Sequence, residues 1–184
     1  VMQTRAIIEA ASAVKKRGQK AVPEIMVPLI GTRAELDYLE RIIPVAEENK
    51  IQMACHLNDP PAPVLNGVEK WNYPVFEGLK RFSELVDSEC HGFNFCCGGA
   101  SEGLEDPGRE LPPIVEYFSE RKKIFNVHFR NIRGGLDDFV EVWPDEGDVD
   151  MFTLAQIFHH TDYPYMLMPD HSPTHPDDPP RGSG

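Results

Sequence analysis

The chain has 184 residues, of which 41% are hydrophobic and 26% charged, enough apolar material for a globular core and too much for general disorder. Its 30 acidic against 18 basic residues give a formal net charge of -12, which repels phosphate backbones and anionic membrane surfaces, so nucleic acid and membrane are excluded as expected partners. The apolar runs are strand-sized and far short of the roughly 20 residues a membrane-spanning helix needs.

Residues 2–16 place Ile7, Ile8, Ala11 and Val14 at helical spacing, with Lys15, Lys16 and Arg17 where a helix C-terminus favours cations and Gly18 as a stop. Residues 24–30 (Glu24-Ile25-Met26-Val27-Pro28-Leu29-Ile30) read as a strand buried on both faces, closed by Gly31. Thr32 and Glu35 form a capping-box pattern for a helix that reaches about residue 49, with Pro44 as a kink.

Residues 51–56 predict the next strand, and a Pro-rich loop leads to a helix over 73–87. Then come a strand over 92–97 ending in Gly98-Gly99, a helix over 111–121, a strand over 124–128, a helix over 151–160 and a strand over 165–169. Strand and helix alternating in this way predict parallel βα units and an α/β fold. About five such units correspond to a partial (β/α) TIM barrel, since a full one holds eight in roughly 250 residues.

In such barrels reactive groups collect at the C-terminal ends of the strands. Four predicted strand ends carry His56, Cys96, His128 and Asp170, the last followed by His171, and their spacing is about one βα unit plus a modest insertion each. Nitrogen, thiolate and carboxylate together suit manganese, iron, cobalt or zinc and disfavour calcium or magnesium. Taken singly, each of these side chains is more often a hydrogen-bonded loop residue or a buried thiol, so the signal lies in the set.

Cys55 and Cys97 are expected on the opposite strand face from His56 and Cys96. His159 and His160 sit at a helix end, where solvated or dipole-pairing roles are expected. Four irregularly spaced cysteines do not make a secreted disulfide framework and point to a reducing cytoplasm, and the vicinal Cys96-Cys97 pair lacks the spacing of a redox motif.

From about Asp37 onward the sequence resembles the mannonate dehydratase family. The resemblance rests on Arg41-Ile42-Ile43-Pro44-Val45-Ala46-Glu47-Glu48, Ala54-Cys55-His56-Leu57-Asn58-Asp59-Pro60-Pro61, Gly92-Phe93-Asn94-Phe95-Cys96, Val127-His128-Phe129-Arg130-Asn131, Gly147-Asp148-Val149-Asp150-Met151 and Pro169-Asp170-His171. It implies a manganese-dependent lyase that dehydrates D-mannonate to 2-keto-3-deoxy-D-gluconate in glucuronate breakdown, with Fe2+ or Co2+ as substitute ions.

By that resemblance the ligands are His56, Cys96, His128 and Asp170, and His171 is a proton-transfer residue. Arg130 is a candidate anchor for the substrate carboxylate, by position and by its fork geometry; the alternative is pairing with a strand-end acid. The family's tyrosine and closing helix beyond the Asp-His pair are not expected in the run Ser172-Pro173-Thr174-His175-Pro176-Asp177-Asp178 that follows His171 here. The other functional readings are a metal-dependent sugar isomerase and a non-catalytic half-barrel scaffold whose open sheet edges drive homo-oligomers.

Residues 1–36 resemble instead the phosphoenolpyruvate-binding barrel of pyruvate phosphate dikinase, through Met2-Gln3-Thr4-Arg5-Ala6-Ile7 and the run Glu24 to Leu36. The expected organisation is thus a dikinase-like helix-strand unit (1–36), a dehydratase-like half barrel (37–171) and a Pro-rich tail (172–184), joined as a chimera. The non-Met first residue and the Pro-Pro-Arg-Gly-Ser-Gly ending read as cut or artificial ends.

Overall fold

The structure, a computed structural model, describes residues 2–20, 25–27 and 33–174. Helix α1 (Met2–Lys16) ends in its two lysines and is followed by Gly18 at φ +76°. Strand β1 (Ile25–Val27) lies within the expected 24–30 run; the rest of that run and the Thr32 cap fall outside the described residues. Helix α2 (Arg33–Glu48) carries Pro44 within it and packs Ile43 and Ala46 with Ile51 and Met53 of the following segment.

Strand β2 (Met53–His56) is followed by a small hairpin, β3 (Val64–Leu65) and β4 (Val68–Glu69), inside the segment read as a loop. Its turn is Asn66-Gly67, both at positive φ (52° and 78°), the dipeptide that a tight hairpin turn favours. Helix α3 (Val75–Ser83), strand β5 (His91–Cys96), helix α5 (Pro107–Glu120) and strand β6 (Ile124–His128) follow the expected order. Between β5 and α5 stands an unexpected short helix, α4 (Cys97–Glu102), so Cys97 is the first residue of a helix and not the last of a strand.

A second unexpected hairpin, β7 (Asn131–Gly135) with β8 (Asp138–Val142), rises directly from the end of β6. Helix α6 (Met151–His160) is capped by Asp150, whose carboxylate accepts from the backbone N–H of Phe152 and Thr153, and the short strand β9 (Leu167–Met168) closes the described order.

Five strands form one parallel sheet in the order β1-β2-β5-β6-β9, each neighbour being the next sheet strand along the chain. The intervening helices make this a mixed α/β fold. Strand alternation splits the sheet into two chemically distinct faces. Cys55, Phe93, Phe95 and Val127 lie in the main core with Leu79 and Phe82 of α3 and Leu111, Val115 and Phe118 of α5. Phe93 meets Phe118 edge-on at 5.2 Å, an arrangement aromatic quadrupoles favour, and Phe82 in a tilted contact at 5.4 Å. The alternate positions Ala54, His56, Asn94, Cys96, Asn126 and His128 share the opposite face, which is mostly polar, and its upper end is the site described next.

Candidate metal centre

Adjacency of β2, β5 and β6 brings three of the predicted ligands together. Cys96 pairs in register with His128, and His56 with Asn94 one pleat below. One ligand atom from each of His56, Cys96 and His128 lies within 4.8 Å of the others, and Cys96 and His128 are buried. Asp170 is outside that group of three, yet its Oδ2 stands 3.2 Å from His128 Nδ1. It is reached just beyond β9 through a backbone at φ +44°, an uncommon conformation for a non-glycine residue.

The imidazoles are oriented by neighbours. His56 Nδ1 donates to the Leu57 carbonyl at 2.6 Å, which leaves a lone pair on Nε2; that atom faces His128 Nδ1 at 3.2 Å. Two ring nitrogens so close must share a proton or a cation. Donors about 2.1 Å from one ion stand roughly 3.0–3.4 Å apart when its coordination angles run from square to tetrahedral, so the 3.2 Å spacings fit a shared divalent ion. On its second nitrogen, His128 meets the Asn94 side-chain amide at 3.0 Å.

Cys96 Sγ accepts from the Gly99 backbone N–H at 3.3 Å and from Arg130 Nη1 at 3.8 Å. Arg130 is 2% exposed and held by three carboxylates: Nε donates to Glu141 at 2.8 Å, Nη2 to Glu102 at 2.9 Å, and Nη1 to Asp59 at 3.4 Å. Burial works against its charge but is outweighed by the bonds to Glu141 and Cys96, so the guanidinium is held more firmly protonated than usual. This pattern is the acid pairing set out above as the alternative to a substrate anchor.

Glu102 is itself buried, with Oε2 lacking a hydrogen-bond partner. Burial, reinforced by the nearby Asp59 charge and only partly offset by Arg130, pushes its carboxyl up to about 7. His171 lies at the rim, 60% exposed, with Nδ1 3.4 Å from Glu141 Oε1.

Cys55 and Cys97 belong to the core cluster, and burial holds both thiols well above their ordinary range. All four cysteines are free. His159 and His160 end α6 on the surface. A separate groove of about 910 Å³ lies between α3 and α5, lined by Phe76, Glu105, Arg109 and Tyr117 among others and by none of the ligand candidates.

Asp59, Glu102, Glu141, Asn94 and Asn126 were not singled out by sequence reasoning. For the two asparagines a signal was present, because both stand two positions before a ligand, in Asn94-Phe95-Cys96 and Asn126-Val127-His128. The three acids come from a loop, a short helix and a hairpin, and no spacing rule joins them.

Residues 32–183 match the family described as D-mannonate dehydratase (UxuA). A mannonate dehydratase of Enterococcus faecalis is 36% identical over 137 residues, which cover 73% of this chain and 36% of that protein. A mannonate dehydratase of Thermotoga petrophila is 31% identical over 137 residues, covering 73% of this chain and 37% of its own. The crystal structure of mannonate dehydratase from Streptococcus suis serotype 2 matches with a TM-score of 0.66 at 33% identity, over 75% of this chain and 39% of that one. The chain therefore spans well under half the length of these relatives. With the family match extending over most of its residues, starting slightly ahead of the expected residue 37, the chain belongs to the D-mannonate dehydratase (UxuA) family.

Proposed function

We propose that this chain supplies the metal-binding wall of a (β/α) barrel lyase that dehydrates D-mannonate to 2-keto-3-deoxy-D-gluconate. The observation that carries the reading is the convergence of His56, Cys96 and His128 within 4.8 Å, with Asp170 beside His128. Family membership and the single-file parallel order of the sheet strands support it. The ion proposed is Mn2+, with Fe2+ or Co2+ as alternatives that the same nitrogen, sulfur and oxygen donors accept.

When bound, such an ion supplies Lewis acidity that stabilises negative charge as the proton beside the substrate carboxylate leaves, and it eases departure of the neighbouring hydroxyl. The protein's own residues do the rest. His56 is held with Nε2 available, and His128 is buried with Nδ1 toward the same point. His171, exposed and beside Glu141, is the proton-transfer residue in this reading, accepting or returning the proton. Arg130 is assigned to holding Asp59, Glu102 and Glu141 around the Cys96 side of the site, since its donors are engaged there.

Several further readings belong to the same proposal. Residues 1–36 form a dikinase-like unit joined to the dehydratase-like segment, a reading that rests on sequence alone. Strands β1 and β9 each have one neighbour in the sheet among the described residues, and copies of the chain associate through these edges. Free cysteines fit a cytoplasmic setting. No helix among the described residues is long and apolar enough to cross a membrane.

The test is incubation with D-mannonate and Mn2+, for the chain alone and joined to the further segments its longer relatives carry, with the product identified by NMR. A 2-keto-3-deoxy acid is the expected product. Interconversion of aldose and ketose forms without loss of water would replace the lyase with the isomerase.

A further inference from the structure

Directly below the ligands, the same sheet face carries a pair of side-chain amides. Asn94 on β5 and Asn126 on β6 are register partners, each two residues before a ligand and therefore on the ligand's side of its strand. Asn126 Nδ2 donates to Asn94 Oδ1 at 2.9 Å, and the Asn94 amide meets His128 Nε2 at 3.0 Å. The other ring nitrogen, Nδ1, is the one directed at His56 Nε2 and Asp170 Oδ2, 3.2 Å from each.

We propose that Asn94, braced by Asn126, is a positioning residue that fixes which nitrogen His128 offers to the metal; the inference rests on the metal-centre reading above. As the amide stands, its nitrogen donates to a lone pair on Nε2, which puts the ring proton on Nδ1, between His56 and Asp170. Ligation through Nδ1 requires that proton on Nε2. A half-turn of the Asn94 amide then presents Oδ1 to accept it, and Asn126 turns in concert, exchanging donor for acceptor. A side-chain amide serves both states because it carries one acceptor and one donor on similar atoms.

Burial makes the partner hard to replace. Asn94 is 1% exposed and His128 7%, so bulk water does not readily stand in for a lost amide. Removing an outer partner of a ligating histidine costs on the order of 10–100-fold in metal affinity. Aspartate has almost the same shape as asparagine but only accepts, so it favours the Nε2–H form that ligation needs.

The experiment is Co2+ titration of the full chain and of N94D, N94L and C96A, with 15N spectra of the histidine side chains in the Zn2+-loaded protein. The expected result is loss of binding in C96A, about 10–100-fold weaker binding in N94L, and affinity in N94D at or above that of the parent. His128 in the loaded parent should show a protonated Nε2 and a metal-bound Nδ1. Should N94L fail to fold, the N94D affinity and the parent spectrum decide the matter.

Weakening of N94D as severe as that of N94L, or His128 bound through Nε2, would overturn the inference. So would a folded N94L with unchanged affinity. If the parent chain binds no Co2+, the metal reading itself fails and takes this one with it; if the parent binds and C96A does not, failure at Asn94 stands alone.

Discussion

Replacing Glu102 by Gln should change the pH dependence of stability in a direction the structure dictates. The Glu102 carboxyl is buried and pushed up to about 7 from an ordinary 4.5. The folded chain therefore binds this proton more tightly than the unfolded chain. Stability from the neutral acid is fully present below about pH 4.5 and is lost as pH rises through about 7. At about 1.4 kcal/mol per pKa unit, that loss is about 3 kcal/mol.

Glutamine has no such titration. Its oxygen can still accept from Arg130 Nη2, but its amide nitrogen takes the place of Oε2, which has no partner, at a cost of about 1 kcal/mol. E102Q should thus be less stable than the parent by about 1 kcal/mol at pH 4.5 and more stable by about 2 kcal/mol at pH 8. Urea unfolding of both proteins at fixed ionic strength across that range gives the difference directly, and groups titrating alike in the two cancel from it. A difference that stays constant with pH would refute the reasoning.

Two packing predictions concern other parts of the fold. A Cβ on Gly98 would stand 2.7 Å from Arg130 Cδ, in a side chain pinned by carboxylates, so G98A should lose about 1–3 kcal/mol of stability in the same urea assay. Phe118 is fully buried against Phe93, Phe76 and Tyr117, and F118A should cost about 3–5 kcal/mol, read as a lower thermal midpoint.

How much of this was legible in the sequence differs from element to element. Strand β6 has the expected bounds, and β5 is displaced by a single residue, because short apolar runs ending at a polar strand tip leave few alternatives. Helix α6 likewise has the expected bounds, while its Asp150 cap emerges only from the structure. Helix α4 was hidden by Gly98-Gly99, which read as the end of a strand; Gly98 is helical, and it is small because the Arg130 side chain lies over it.

The sequence puts the start of α5 four residues late because Pro112 and Pro113 obscure the pattern, while Pro107 sits in the first turn, where a missing N–H does no harm. The β3–β4 turn carried its Asn-Gly signal openly, but the surrounding prolines masked two strands of two residues each. At the site, His56, Cys96 and His128 are findable because each ends a strand, and Asp170 because it follows β9 by two residues, positions with a regular spacing. The acids around Arg130 were not, because Glu102 and Glu141 lie on elements that the periodicity did not reveal.

The claim on which the account turns is that these strand ends share one cation. Isothermal titration of the metal-stripped chain with Mn2+ and Co2+ tests it most directly, alongside H56A, C96A, H128A and D170A. One site per chain is expected, lost in the first three variants and weakened in D170A, with the variants still folded by circular dichroism. Equal binding by the parent and the folded variants, or none by the parent, would contradict it.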